Sequence, residues 1–264
     1  MRIIEQFIKG KASDEALCED ILLVTDDFIA VIDGVTAKGC RLFNGKSGGR
    51  AAAEAVCEAI KLFPKDISVL DAVCRITEKV SSLYESNEEK GCAAAGAIIF
   101  SIARKEIWNV GDCQCIINNT KHLHEKEIDR IYSQKRAEIL ENAIKNGATQ
   151  EELLINDIGR EAILPQLKTQ HQYANKECNL GYAVFNGTPI PESMITTYKL
   201  SEGDTIVLAS DGYPVLCDSL EESEELLQRE LTENPLCYRG YKSTKGLQPK
   251  NSSFDDRTYI KIQL

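Results

Sequence analysis

The sequence predicts an α+β fold, one domain built of two antiparallel sheets covered by helices. Three observations carry this. Apolar runs of strand length fall into three groups separated by two helix-like blocks. The links between neighbouring runs are too short for crossover helices, so those strands pair antiparallel. No repeat or low-complexity linker divides the 264 residues, which suffice for one large core.

The elements follow in order. "DILLVT" (20–25) and "FIAVID" (28–33), split by Asp26 and Asp27, read as a hairpin of buried strands. "SGGRAAAEAVCEAIKLF" (47–63) is alanine-rich with helical spacing. "DISVLDAVCRITEKVSSLYES" (66–86) takes Asp66 as N-cap and sets Leu70, Val73, Val80 and Leu83 on one helix face. "AAAGAIIFSIA" (93–103), "EIWNV" (106–110) and "CQCIIN" (113–118) read as antiparallel neighbours. Residues 125–171 read as helical. "KEIDRIYSQKRAEILENAIKNG" stops at Gly147, a C-cap, and "TQEE" (149–152) restarts a helix with a capping box. "YAVF", an Asn186-Gly187 turn, "MITTYKL" and "TIVLAS" return to strands. "SLEESEELLQREL" is a late helix, and "RTYIKIQL" alternates as a strand does.

Composition narrows the function. Hydrophobic content of 43% and charged content of 27% are those of an ordinary globular chain. A net charge of −10 argues against nucleic acid as partner, and a phosphate site here needs a local cation or metal. The first twenty residues hold no apolar stretch of signal or membrane-spanning length, so a cytoplasmic chain with no membrane partner is expected. The ten cysteines lack zinc spacing; Cys113 and Cys115 alternate onto one strand face, and reduced, buried thiols are expected. His122, His124 and His171 lie in a charged segment and read as surface residues.

The carboxylates carry the chemistry. "FIAVIDGV" runs apolar into Asp33-Gly34, and "IVLASDGY" into Asp211-Gly212. Asp-Gly alone begins many turns. Yet Glu19 and Asp20 precede one strand, Asp112 follows Gly111 in "NVGDCQC", and Asp255 with Asp256 precedes the last strand. Charges at buried strand ends are costly unless paired or metal-bound. If these ends converge, the cluster calls for divalent cations, and oxygen ligands without His or Cys point to Mg²⁺ or Mn²⁺. Such ions activate water and polarise a phosphoryl oxygen, the chemistry of a metal-assisted hydrolase acting on phosphate.

In order along the chain, "CED", "VIDGV", "GGRAAAEAV", "NVGDCQC", "LASDGYPVL" and "SFDDRTYI" resemble the motifs of the metal-dependent serine/threonine protein phosphatases of type 2C (PPM), as a divergent, bacterial-like member. The resemblance implies a single domain over 1–264, folded as a four-layer α-β-β-α sandwich of two antiparallel sheets flanked by helix pairs. It implies a site at one end of the sandwich holding two Mn²⁺ or Mg²⁺ ions and a third, weaker one. Its ligand set would be Asp20, Asp33, the Gly34 carbonyl, Asp112, Asp211 and Asp255. Asp33 and Asp211 would be the catalytic pair, Asp33 bridging both ions, and Asp112 would help hold the third. The implied activity is hydrolysis of phosphoserine and phosphothreonine on protein substrates. Two alternatives stand beside it: a catalytically silent binding module of the same fold, and a phosphatase for a small phosphorylated metabolite.

The chain also departs from that pattern. Val35 and Thr36 follow the first Asp-Gly where many members have His-Gly-Gly, and Gly48-Gly49 comes later. The family's phosphate-gripping arginine has no match; Glu15 stands there, with Lys9 and Lys11 further back. Lys38, Arg41 and Lys46, in the loop after Asp33, are candidate phosphate ligands, set against the simpler reading of a solvated loop. The helical stretch at about 119–180 is too long for a plain connection and is expected to form a flap beside the site.

Overall fold

Alternation along the strands divides the protein into layers. A computed structural model describes residues 1–35, 42–85 and 92–264. One sheet holds β2 (Ile21–Val24), β3 (Phe28–Gly34), β4 (Ala95–Ser101), β5 (Glu106–Val110) and β8 (Thr196–Lys199), in the order β2-β3-β4-β5-β8. The other holds β1 (Arg2–Lys9), β6 (Gln114–Ile117), β7 (Thr120–His122), β9 (Thr205–Ala209) and β12 (Arg257–Gln263), in the order β1-β12-β9-β6-β7. Every pairing is antiparallel.

The sheets meet face to face. Ile29, Val31, Ile98 and Phe100 of the first pack on Ile206, Leu208, Ile260 and Ile262 of the second. Their neighbours Phe28, Ala30, Ile32 and Ile99 turn to the opposite face, against α1 (Gly48–Lys61) and α2 (Val69–Ser81). Full burial of each Val, Leu, Ile or Phe side chain among these contributes about 1.5–3 kcal/mol. On the outer face of the second sheet, Val207, Ala209 and Tyr259 lie under Tyr213, Leu216 and the start of α6 (Leu220–Glu233). Glu224 of α6 accepts from buried Arg257 of β12 at 2.6 and 2.8 Å, fixing helix to sheet.

Several boundaries differ from those expected. Ser68, not Asp66, caps α2: its Oγ accepts from the Asp71 amide at 3.2 Å, and Leu70 is exposed while Ala72, Val73, Ile76 and Val80 are buried. β6 does not continue the sheet of β4 and β5. The chain crosses to the other sheet at Gly111-Asp112, and β6 pairs with β7 and β9. "YAVF" forms only the isolated bridges Phe185–Ala95 and Tyr182–Ala174, because Asn175 and Thr188 take up Asn186 and the Val184 backbone groups. The edge strand β1 has weak alternation and was not expected; β12 supplies its partner.

The stretch from 127 to 169 forms α3 (Glu127–Lys145), α4 (Gln150–Ile155) and α5 (Ile158–Thr169). Thr149 and Glu152 make the expected capping box, and Gly147 takes the positive φ of a helix stop. These helices pack on one another and on Leu236 and Tyr238, the latter in the small hairpin of β10 (Tyr238–Arg239) and β11 (Tyr241–Lys242). Among the described residues no helix is long and apolar enough to cross a membrane.

Candidate active site

Strand register brings the acids to one end of the sandwich. Asp33 lies opposite Gly96, near the start of β4, and β5 ends at Val110 opposite Ala97, so Asp112 sits at the end where Asp33 lies. In the second sheet Ala209, the last residue of β9, pairs with Gln114 and Tyr259, near the starts of β6 and β12. Asp211 therefore follows β9, and Asp255 precedes β12, at that same end. The crossing at Gly111-Asp112 stitches the two sheets together there.

The Asp-Gly glycines are required by close approach rather than by a turn. A Cβ on Gly34 would lie 2.7 Å from the Glu19 carbonyl oxygen and from Gly49. One on Gly212 would lie 2.0 Å from the Asp256 carbonyl oxygen. Each glycine lets the strand carrying an aspartate run hard against the segment carrying another acid. Ser47 completes the arrangement at α1: it caps the helix and donates to Glu19 Oε1 at 2.5 Å. Arg50 donates to the Cys18 and Asp20 carbonyls at 3.1 and 3.3 Å, tying "CED" to the helix.

Asp33, Asp112 and Asp211 present carboxylate oxygens within 4.8 Å of one another. They line a cleft of about 540 Å³ together with Gly34 and Asp255. Asp20 sits behind it, 1% exposed; its Oδ2 accepts from Thr258 at 2.8 Å, and its Oδ1 has no hydrogen-bond partner.

The acids divide into two electrostatic classes. Asp255 is held by Lys11 at 2.7 Å and by Lys245. Burial works to raise its carboxyl, but the two ammonium groups outweigh that and hold it well below the usual range. Asp112 Oδ2 lies 2.6 Å from Lys126 Nζ. Asp33, Asp211 and Asp20 have no ammonium in contact among the described residues. Burial, then repulsion from Asp211, Asp20 and Asp112, holds the Asp33 carboxyl well above the usual range. Burial with repulsion from Asp112 and Asp255 pushes Asp211 up to about 7, and burial pushes Asp20 up to about 8 against the Thr258 hydrogen bond. An orphaned buried oxygen and three carboxylates with no ammonium in contact among the described residues fit hard divalent cations, which prefer oxygen ligands.

Other expected residues fall elsewhere. Lys46 does not line the cleft; its ammonium pairs with Glu54 on exposed α1 surface at 2.5 Å, the contact nearest to it. Lys38 and Arg41 lie outside the described residues. His171 is exposed, whereas His122 and His124 are half-buried against Tyr198 instead of free at the surface. Cys113 and Cys115 both face the interior between the sheets, and the described cysteines are free thiols, with Cys74 and Cys178 exposed rather than buried. The cations Lys126 and Lys245 carry no sequence signal, lying in the helical segment and in a loop. Lys11 lies close to "CED" in the sequence, but nothing in the sequence ties it to Asp255. From the helical segment, Lys126, Asp129, Ser133 and Arg160 line the cleft.

No protein-family model matches the sequence, and no curated protein matches it. Solved structures match in fold. The serine/threonine phosphatase Stp1 from Staphylococcus aureus aligns over 98% of this chain and 94% of its own, at 15% identity and a TM-score of 0.52. The catalytic domain of the serine/threonine protein phosphatase PstP, solved in complex with two manganese ions, aligns over 99% of both chains at 16% identity and a TM-score of 0.51. A bacterial serine phosphatase aligns over 98% of this chain and 96% of its own, at 16% identity and a TM-score of 0.51. The likeness is one of fold: this chain has the two-sheet α+β sandwich of the PPM-type serine/threonine phosphatases.

Proposed function

We propose that this chain is a PPM-type phosphatase that removes phosphate from phosphoserine and phosphothreonine on protein substrates with the help of two divalent ions, Mn²⁺ or Mg²⁺. The observation that carries the reading is the pair Asp33 and Asp211. Their oxygens converge at the cleft, and among the described residues neither has an ammonium in contact with it, Lys126 and Lys245 acting on Asp211 only from a distance. Asp33, Asp211 and the Gly34 carbonyl would hold the ions, with Asp20 adding charge from behind and Asp255 from the cleft wall. When bound, such ions lower the pKa of a shared water and polarise the phosphoryl oxygen. The polypeptide shapes the rest. Gly34 and Gly212 keep the aspartates on closely packed backbone, which limits their movement. Lys11, Lys126 and Lys245 keep part of the cleft cationic in a chain of net charge −10, so a phosphate group is not repelled. The helical segment at about 119–180 acts as the flap of this single domain and forms one wall of the substrate cleft.

A second reading is a silent binding module of the same fold. What favours it is the double ammonium clamp on Asp255, which competes with any ion there. Phosphate release separates the two. An aryl phosphate and a phosphothreonine peptide are offered with Mn²⁺ and with chelator. The phosphatase reading expects release only with Mn²⁺. Bound Mn²⁺ with neither substrate turned over would reject it and leave the silent module.

A further inference from the structure

We propose that Lys126 is a permanent cation of the acidic cluster, which withdraws Asp112 from metal binding and leaves Asp33 and Asp211 as the converging carboxylates open to divalent ions. The inference rests on the two-ion reading above and sharpens it: this chain supplies in its own backbone-anchored ammonium what a further ion would supply on Asp112.

The contact is tight and sheltered. Lys126 Nζ lies 2.6 Å from Asp112 Oδ2, with side-chain exposures of 11% and 16%. The Tyr182 ring lies under the same ammonium, 5.4 Å from Nζ to centroid, which adds a cation–π contact at a partly buried site. A divalent ion ligated by that oxygen would need to sit about 2.0–2.6 Å from it. An ammonium at contact distance occupies one face of Oδ2 and, by its charge, opposes an ion approaching the same carboxylate.

The placement of Lys126 runs against local preference. It is the N-cap residue of α3 and makes no side-chain cap. Ser, Thr, Asp and Asn are the usual N-caps, and a cation beside a helix N-terminus opposes the helix dipole. A lysine there is unfavourable for α3 by itself. Asp112 and Asp129 around it supply the compensation, and both line the cleft. The position is held from behind as well. Arg136, nearly three turns further along α3, binds Asp157 of the α5 N-terminus and the carbonyls of Cys237 and Ser243. The start of α3 is thereby fixed relative to the loop that carries Lys245.

The test counts ions. Mn²⁺ alone is titrated by calorimetry, and bound metal is counted by elemental analysis after equilibrium dialysis, for the parent, Lys126→Met, Lys126→Arg, Asp112→Asn and the double variant Lys126→Met with Asp112→Asn. The parent and Lys126→Arg should bind two ions. Lys126→Met should gain one, because Asp112 is released, and the double variant should return to two. Asp112→Asn should keep the parent's count and affinity. A parent with three ions overturns the proposal, as does Lys126→Met with the parent's count. Should Lys126→Met fail to fold by circular dichroism, a loss of about tenfold or more in Mn²⁺ affinity for Asp112→Asn overturns it instead. A parent with no bound ion would reject the two-ion reading and this one together; two ions in the parent and no gain in Lys126→Met would reject only the role of Lys126.

Discussion

Arg136, with no solvent exposure, grips Asp157 through Nε and Nη2 at 2.9 and 2.7 Å. Its other nitrogen, Nη1, donates to the carbonyls of Cys237 and Ser243 at 3.3 and 3.0 Å. One side chain thus joins α3, the start of α5 and the 237–245 loop, the three pieces that bring Lys126, Arg160 and Lys245 to the cleft.

Removing that guanidinium leaves the half-buried Asp157 carboxylate with the Arg160 amide and takes the Arg136 donor from the Ser243 carbonyl. Breaking a buried pair from one side costs about 3–5 kcal/mol. Arg136→Met should therefore melt roughly 10 °C below the parent. It should also lose activity in proportion to the loosened wall. A melting temperature within a degree or so of the parent's would show that the pair contributes little.

Asp211→Asn keeps side-chain volume and removes one charge from the cluster. Mn²⁺-dependent turnover should fall to background, since a neutral amide neither balances the cations nor helps acidify the water. The fold should survive, because Asp211 repels Asp112 and Asp255 in the metal-free protein and that repulsion disappears. Thermal melts with and without Mn²⁺ check both halves: the variant should melt no lower than the metal-free parent and gain less from Mn²⁺. Full activity in the folded variant would remove Asp211 from the site.

The raised carboxyls make metal-free stability depend on pH. Asp211 is pushed up to about 7 and Asp20 up to about 8, while unfolded carboxylates titrate near 4. The native state therefore holds more protons between these values. Its stability is greatest near the lower value and is lost as pH rises through the upper ones. Metal-free protein should melt lower at about pH 8 than at about pH 6, and saturating Mg²⁺ should cancel the difference. Ion binding near neutral pH should release protons, measurable as a buffer-dependent heat. A metal-free melting temperature that is flat across this range would contradict the assigned environments.

The thiols are bystanders in this account. Burial pushes Cys115 up to about 12, and both Cys113 and Cys115 face away from solvent between the sheets. Thiol reagents should label Cys74 and Cys178 first among the described cysteines, without loss of activity. Purified protein should contain no stoichiometric zinc. Activity that requires reductant, or zinc at one per chain, would overturn this.

The sandwich was legible because its core strands are unbroken apolar runs of strand length. Ile29 and Val31 against Ala30 and Ile32 is a pattern that only a strand between two apolar layers requires. The acids were legible because each ends or precedes such a strand. What stayed hidden depends on tertiary contact. β6 changes sheets through the short link at Gly111-Asp112, which reads as an ordinary hairpin turn in sequence. Ser68 displaced Asp66 as cap within two residues, a choice local propensity does not decide. The lysines on Asp112 and Asp255 come from positions 14 residues ahead and 244 and 10 residues away, on elements whose approach no spacing rule specifies.

The most direct test is a crystal grown with Mn²⁺ and measured at the manganese absorption edge. Two anomalous peaks about 3.5–4 Å apart are expected. Both should contact Asp33, one should contact Asp211, and Lys126 should remain on Asp112. No peak within ligand distance of Asp33 and Asp211 at saturating Mn²⁺ would contradict the two-ion site.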